Sequence, residues 1–199
     1  MDLREEAIVC AARAHGETAV IARLLTRSAG LVGCYVAGGR GRRLRPVLIP
    51  GNLVDADIRS KSDSQLPFGR IELIASRAPW LGEPLLASAI IWITALTTQA
   101  LPERQPFPAL FPALSGLLDA VCLAPSARGW LPGLLAYEAL VLRELGYGET
   151  AIQPGDDLPA LLARFDALGA RLERYPLAER RVDVMGARAM LRERLARIG

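Results

Sequence analysis

The chain has 199 residues, of which 51% are hydrophobic and 23% charged, with a formal net charge of +3. That composition supplies a real core and excludes a disordered chain, and the length suits one large domain or two small ones. So modest a charge does not itself mark a nucleic-acid binder, but it is unevenly spread: residues 1–80 carry 12 basic and 8 acidic side chains, a net of +4, whereas residues 81–199 carry 12 and 13, a net of −1.

The first 80 residues read as five short strands: Glu6–Arg13, Thr18–Thr26, Leu31–Val36, Gly51–Arg59 and Arg70–Ser76. Apolar residues recur through each run. Turn signals separate them at His15-Gly16-Glu17, Ser28-Ala29-Gly30, Pro50-Gly51-Asn52 and Ser60–Gly69. Five closely spaced strands with one longer loop suit a small oligonucleotide/oligosaccharide-binding (OB) barrel. The longer loop, Gly38-Gly39-Arg40-Gly41-Arg42-Arg43-Leu44-Arg45-Pro46, holds four arginines, three glycines and no acid. Arginine carries a permanent charge and a planar fork of donors that fits phosphate, and glycine lets backbone approach closely. The expectation is a flexible cationic loop for a polyanion, set against a solvated turn.

After Pro79 the period becomes helical. Helices are expected at Glu83–Ala100, Pro106–Cys122, Arg128–Leu145 (ended by Gly146-Tyr147-Gly148), from the capping Asp156 or Asp157 to Tyr175, and from about Leu177 to the end. The last helix is expected to bury Val184, Ala187, Leu191, Leu195 and Ile198 and to expose Arg180, Arg181, Arg188, Arg192 and Arg194. The uncharged stretch between Glu83 and Glu103 is diluted by Pro84, Ser88, Thr94, Thr97, Thr98 and Gln99. Its continuous apolar part is short of the roughly 20 residues that a bilayer requires, so it reads as a buried helix. The fold class is therefore α+β in two domains: a five-stranded OB barrel over 1–79 and an all-helical bundle over 80–199.

Cys10, Cys34 and Cys122 are odd in number and widely spaced, which points to a reduced, cytoplasmic protein without disulfides or a cysteine metal site. Met1-Asp2 runs into Arg4, Glu5 and Glu6, unlike a signal peptide. His15 is the only histidine and reads as a turn residue beside Glu17. The glycine-arginine loop lacks the Lys-Ser/Thr ending of a phosphate-gripping P-loop. Asp55 and Asp57 read as solvated, and Asp156-Asp157 as a cap. No metal, cofactor or catalytic site is expected.

The order of short motifs resembles the N-terminal barrel of the RecO recombination-mediator proteins: Glu6–Val9, Arg13-Ala14-His15-Gly16-Glu17-Thr18, Leu24–Arg27, Gly30-Leu31 and Gly38-Gly39-Arg40. Leu101-Pro102-Glu103, Arg128, Tyr137-Glu138 and Leu145–Gly148 are similar to landmarks of that family's helical part. Many members carry a four-cysteine zinc module after the glycine-ended helix. Here Glu149–Asp157 stands in that place without a cysteine, so zinc is not implied.

The resemblance implies a nucleoid-associated, non-enzymatic protein of recombinational repair. Such a protein binds single- and double-stranded DNA, anneals complementary strands and promotes RecA loading onto DNA coated with single-strand-binding protein (SSB). It acts with RecR and binds the acidic, Phe-ending SSB tail through the helical part. The alternative is a non-catalytic adaptor whose barrel contacts protein or RNA. The expected DNA contacts are Arg40, Arg42, Arg43 and Arg45, with Arg13, Arg23, Arg27, Arg59 and Lys61 as additions. Arg104, Arg128 and Arg143 are candidates for the SSB-tail rim, with Arg180, Arg181 and Arg188 as a second patch. The barrel offers only Tyr35 and Phe68 for base stacking, with Trp80 at the boundary, and Tyr35 reads equally well as core. Mostly phosphate contacts, little sequence preference and strong salt dependence are expected.

Overall fold

The computed structural model describes residues 2–60, 62, 65–148, 157–179 and 184–198. The chain divides into two compact units, Met1–Leu81 with Leu101–Phe111, and Gly82–Ala100 with Pro112–Gly199.

The first unit is an OB barrel. Its strands are β1 (Asp2–His15), β2 (Ala19–Thr26), β3 (Gly30–Val36), β4 (Leu53–Arg59) and β5 (Phe68–Ala75), closed in the order β1-β2-β3-β5-β4. The long first strand closes the ring by serving two neighbours. Asp2–Ile8 pairs with β4 and Ala7–His15 with β2, with a register shift between Val9 and Ala11. Such a bulge bends a strand enough to turn a corner. Alternation then fills the interior: Val20, Ala22 and Leu24 from β2, Val32, Cys34 and Val36 from β3, Val54, Ala56 and Ile58 from β4, and Ile71 from β5. The ring's parallel join, β3 to β5, is made at Tyr35 and Phe68.

Leu101–Phe111 lies on the outer face of β3. Leu31 bridges to Glu103, and the Arg104 N–H donates to the Leu31 carbonyl at 2.8 Å. Gly30 has φ +71, and a Cβ there would come within 2.6 Å of the Gln105 carbonyl carbon. Only glycine permits that approach. From its sequence this segment belongs to the helical part, with a helix expected from Pro106. The helix starts at Leu110 instead, because the preceding residues cover the barrel.

The second unit is helical: α1 (Pro84–Ala100), α2 (Leu110–Leu123, in this unit from Pro112), α3 (Ala127–Glu144), α4 (Leu158–Arg174) and α5 (Met185–Ala196). α1 buries its threonines by turning their hydroxyls onto its own backbone. Thr94, Thr97 and Thr98 donate to the carbonyls of Ile90, Ile93 and Thr94 at 2.7, 2.7 and 2.8 Å. α3 ends in a glycine motif, with Gly146 at φ +85 and the Tyr147 N–H bonded to the Leu142 carbonyl at 2.8 Å. Asp157 caps α4 by accepting from the Ala160 N–H at 2.9 Å, whereas Asp156 lies outside the described residues.

A charged network sits in this bundle's core. Glu138 of α3 is fully buried and takes both arms of the Arg188 guanidinium, at 3.0 and 2.8 Å, plus the Trp92 N–H at 2.7 Å. Burial pushes the Glu138 carboxyl above its ordinary value, against the pull of Arg188 and Trp92. The guanidinium lies 3.6 Å over the Phe165 ring and also donates to the Phe165 carbonyl. The expectation of an exposed Arg188 is therefore corrected: it is buried, because a carboxylate in an apolar helix demands a partner. Ile198, expected in the core, is 45% exposed. Among the described residues no helix is long and apolar enough to cross a membrane.

Candidate nucleic-acid interface

The glycine-arginine loop is folded rather than loose. The Arg45 N–H donates to the Gly41 carbonyl at 2.9 Å and the Leu48 N–H to the Leu44 carbonyl at 3.0 Å, the four-residue spacing of a helical turn. Leu48 is buried in the barrel core, with Leu44 and Val47 packed against it. Asn52, fully buried, staples the loop's far side. Its amide donates to the Pro46 and Val47 carbonyls at 2.9 and 3.0 Å, and its carbonyl accepts the Arg77 N–H at 2.7 Å. The glycines have separate jobs. Gly38 sits at φ +66, and Gly39 lies so close to β2 that a Cβ would come 2.8 Å from the Val20 Cβ.

The four loop arginines are exposed but not equivalent. The Arg40 guanidinium donates to the Glu17 and Gly16 carbonyls at 2.9 and 3.3 Å, and its N–H donates to the Thr18 carbonyl at 3.0 Å. It ties the loop to the β1–β2 turn. Arg42, Arg43 and Arg45 form no ion pair with any described residue. Arg40 and Arg45 flank a cavity of about 420 Å³ floored by Ala12, Ala14, Val20 and Leu48.

The additional candidates divide by what already neutralises them. Arg13 on β1 is exposed and has no ion pair among the described residues. Arg23 is half-buried against Glu103 at 3.2 Å. Arg27 pairs with Glu6 at 3.5 Å and lies 4.4 Å over the Phe111 ring. Arg59 forks onto Asp57 at 2.8 Å and holds that carboxyl below the usual carboxylate range. Lys61 lies outside the described residues. Among the described candidates, the cations without an ion pair are thus the loop arginines and Arg13.

The arginines considered for an SSB-tail rim belong to different units. Arg104 belongs to the barrel unit at φ +58. Arg128 and Arg143 occupy opposite ends of α3, fifteen positions apart, a rise of roughly 22 Å. Arg180 and Arg181 lie outside the described residues.

The two aromatics that the sequence offers for stacking, Tyr35 and Phe68, are joined by His15, which the sequence marks only as a turn residue. The His15 and Tyr35 rings meet edge-on at 5.9 Å, and the Tyr35 and Phe68 rings at 5.3 Å. His15 is the last residue of β1, and Tyr35 stands on the outer face of β3 rather than in the core. The signal was parity: Val32, Cys34 and Val36 point inward, so Tyr35 points out. Among the described residues, no group of three or more His, Cys, Asp or Glu could hold a metal ion. Burial raises the Cys10 and Cys34 thiols to about 12.

Residues 1–77 match the family model "Recombination protein O N terminal", and residues 83–149 match "Recombination protein O C terminal". The chain is 42% identical over 149 residues to the DNA repair protein RecO of Rhodospirillum centenum, a match covering 74% of this chain and 58% of that protein. It is 38% identical to the proteins of that name from Phenylobacterium zucineum and Paracoccus denitrificans, covering 74% of this chain and 60% of each of them. The matched stretch thus spans about three fifths of the length of these relatives.

Proposed function

Because the chain belongs to the RecO family, matched from the start of its barrel to the end of α3, we propose that it is a recombination mediator of DNA repair. In this reading the barrel binds single- and double-stranded DNA without sequence preference, anneals complementary strands and promotes RecA loading on SSB-coated DNA. Its partners are RecR and the acidic SSB tail, and it acts without catalysis on the nucleoid in the cytoplasm.

The observation that carries the reading is the set of uncompensated cations on the barrel unit. Arg42, Arg43 and Arg45 stand on a folded loop, with Arg13 on β1. A loop whose backbone is already folded presents its charges without a backbone ordering cost on binding. Charges on such a loop hold phosphates and leave base edges free, which is what annealing needs. The test is a DNA-binding titration over a salt series. Replacing Arg42, Arg43 and Arg45 together with glutamine should weaken binding and flatten the log–log salt slope by roughly 0.7–0.9 per lost contact. An unchanged affinity and slope would remove the loop from the mechanism. Annealing of complementary strands with and without SSB tests the wider activity. Titration with a labelled acidic tail peptide tests the SSB contact, and no saturable binding would end that part.

A further inference from the structure

We propose that His15, Tyr35 and Phe68 form a base-stacking platform on the outside of the barrel that gives this chain a preference for single strands. The proposal rests on the DNA-binding reading above and adds to it a second contact surface, distinct from the arginine loop.

Three observations carry it. The first is exposure. Phe68 is 65% exposed on a strand of a closed barrel, and Tyr35 is partly exposed beside it. Scattered single apolar residues on a surface are ordinary. Here three rings touch in series, at 5.9 and 5.3 Å.

The second is register. Direct cross-strand partners run Arg13–Ile21, Ile21–Tyr35, Tyr35–Phe68 and Phe68–Arg59. One row across the outer face therefore reads cation, apolar, aromatic, aromatic and then Arg59, already paired with Asp57 and Asp2, with His15 packed edge-on against Tyr35. Leu101–Phe111 covers β3 at Leu31, and among the described residues Tyr35 at the other end of the strand stays partly exposed.

The third is charge. The strand carboxylates of the same face are already paired, Asp55 with Arg4 at 3.2 Å, Asp57 with Arg59 at 2.8 Å, and Glu72 with Arg70 at 3.4 Å, which leaves Glu17, in the turn after His15, as the nearby acid without an ion pair among the described residues. A phosphodiester chain crossing the row meets Arg13 without an opposing acid pair among the described residues. Aromatic rings beside a free cation, here Arg13, are what unpaired bases on a phosphate backbone use, with stacking that tolerates any sequence. A row of this length suits about two or three bases. In a duplex the base faces are occupied by their own neighbours, so the platform has nothing to engage there.

The experiment uses the whole chain with labelled oligothymidine and with a duplex of equal length. Phe68→Ala is the main variant, because its exposed ring can be removed without opening the core. It should weaken oligothymidine binding about fivefold or more while leaving duplex affinity within about twofold. The salt slope should stay unchanged, since no phosphate contact is lost. Phe68→Trp should restore binding and Phe68→Leu should not, which separates a ring face from mere apolar area. His15→Ala combined with Phe68→Ala should deepen the loss on single strands only. Wild-type affinity for oligothymidine in Phe68→Ala, or an equal loss on duplex, overturns the platform and leaves the loop's role standing. Absence of DNA binding by the unmodified chain overturns the underlying reading and the platform with it.

Discussion

Replacing glycine by alanine in the middle of a helix ordinarily stabilises it by about 1 kcal/mol, because glycine loses more backbone freedom on folding. At Gly169 of α4 the sign should reverse. An alanine Cβ there would sit 2.7 Å from Cζ of Arg188 and still closer to one of its terminal nitrogens. A flexible arginine on a surface would swing away at little cost. This one is buried, holds Glu138 with both arms and lies against the Phe165 ring. Displacing it leaves a fully buried carboxylate with only the Trp92 N–H. Breaking a buried ion pair from one side costs about 3–5 kcal/mol. Set against the helix gain of about 1, Gly169→Ala should lose roughly 2–4 kcal/mol, or about 4–16 °C in Tm for a chain of this size. Urea unfolding followed by far-UV circular dichroism measures it. Made in a chain that already carries Arg188→Met and Glu138→Leu, the same substitution should be neutral or mildly stabilising relative to that double variant, because the obstacle is gone. Equal or higher stability of the single variant would show that the guanidinium does not depend on the space at Gly169.

Asn52→Ala removes three buried hydrogen bonds at once, to Pro46, Val47 and Arg77. It should cost about 3 kcal/mol by urea unfolding and reduce DNA affinity, since the arginine loop loses its staple. Gly30→Ala combines a positive φ with a clash on Gln105 and should destabilise the barrel by at least about 2 kcal/mol, with faster amide exchange along β3. In the native state at about pH 8, Cys10 and Cys34 should resist alkylation. A thiol raised from 9.0 to about 12 holds roughly a thousandfold less thiolate, and both are buried as well. Mass-spectrometric labelling before and after denaturation checks this, and rapid native modification of either residue would refute it.

The five strands were legible because alternation and turn residues agreed along each run. The ends moved by only a few residues, most of all in β1, whose extension to Asp2 depends on pairing with distant Arg59. Helix positions followed the apolar stripes, with two exceptions: Leu101–Phe111 was taken by β3 through the room at Gly30, a contact that no local pattern announces, and the last helix, expected from about Leu177, begins at Met185 because Leu177–Glu179 form a turn. The loop was read from its charges and glycines. Its stiffness was written in Leu44, Val47 and Leu48, apolar residues at turn spacing that charge alone obscured. Arg40's grip on two carbonyls and the aromatic row both come from strands meeting far along the chain. Arg188 was misjudged because it sits among surface arginines. Glu138 within the apolar run of α3, and a glycine inside α4, were the two marks that a guanidinium had to be accommodated nearby.

The interleaving of the two units governs how this protein can be cut and how it is made. The chain passes between them after Leu81, after Ala100 and after Phe111, so no single cleavage separates them. A fragment ending at residue 79 would keep every barrel strand yet lack the covering segment, stranding Arg23 without Glu103, Arg27 without Phe111 and Gly30 beside open solvent. During synthesis the whole of α1 must leave the ribosome before the barrel's last piece appears. The barrel is therefore completed only after the chain of α1, which belongs to the other unit, has been made, so chain order alone ties its maturation to that segment.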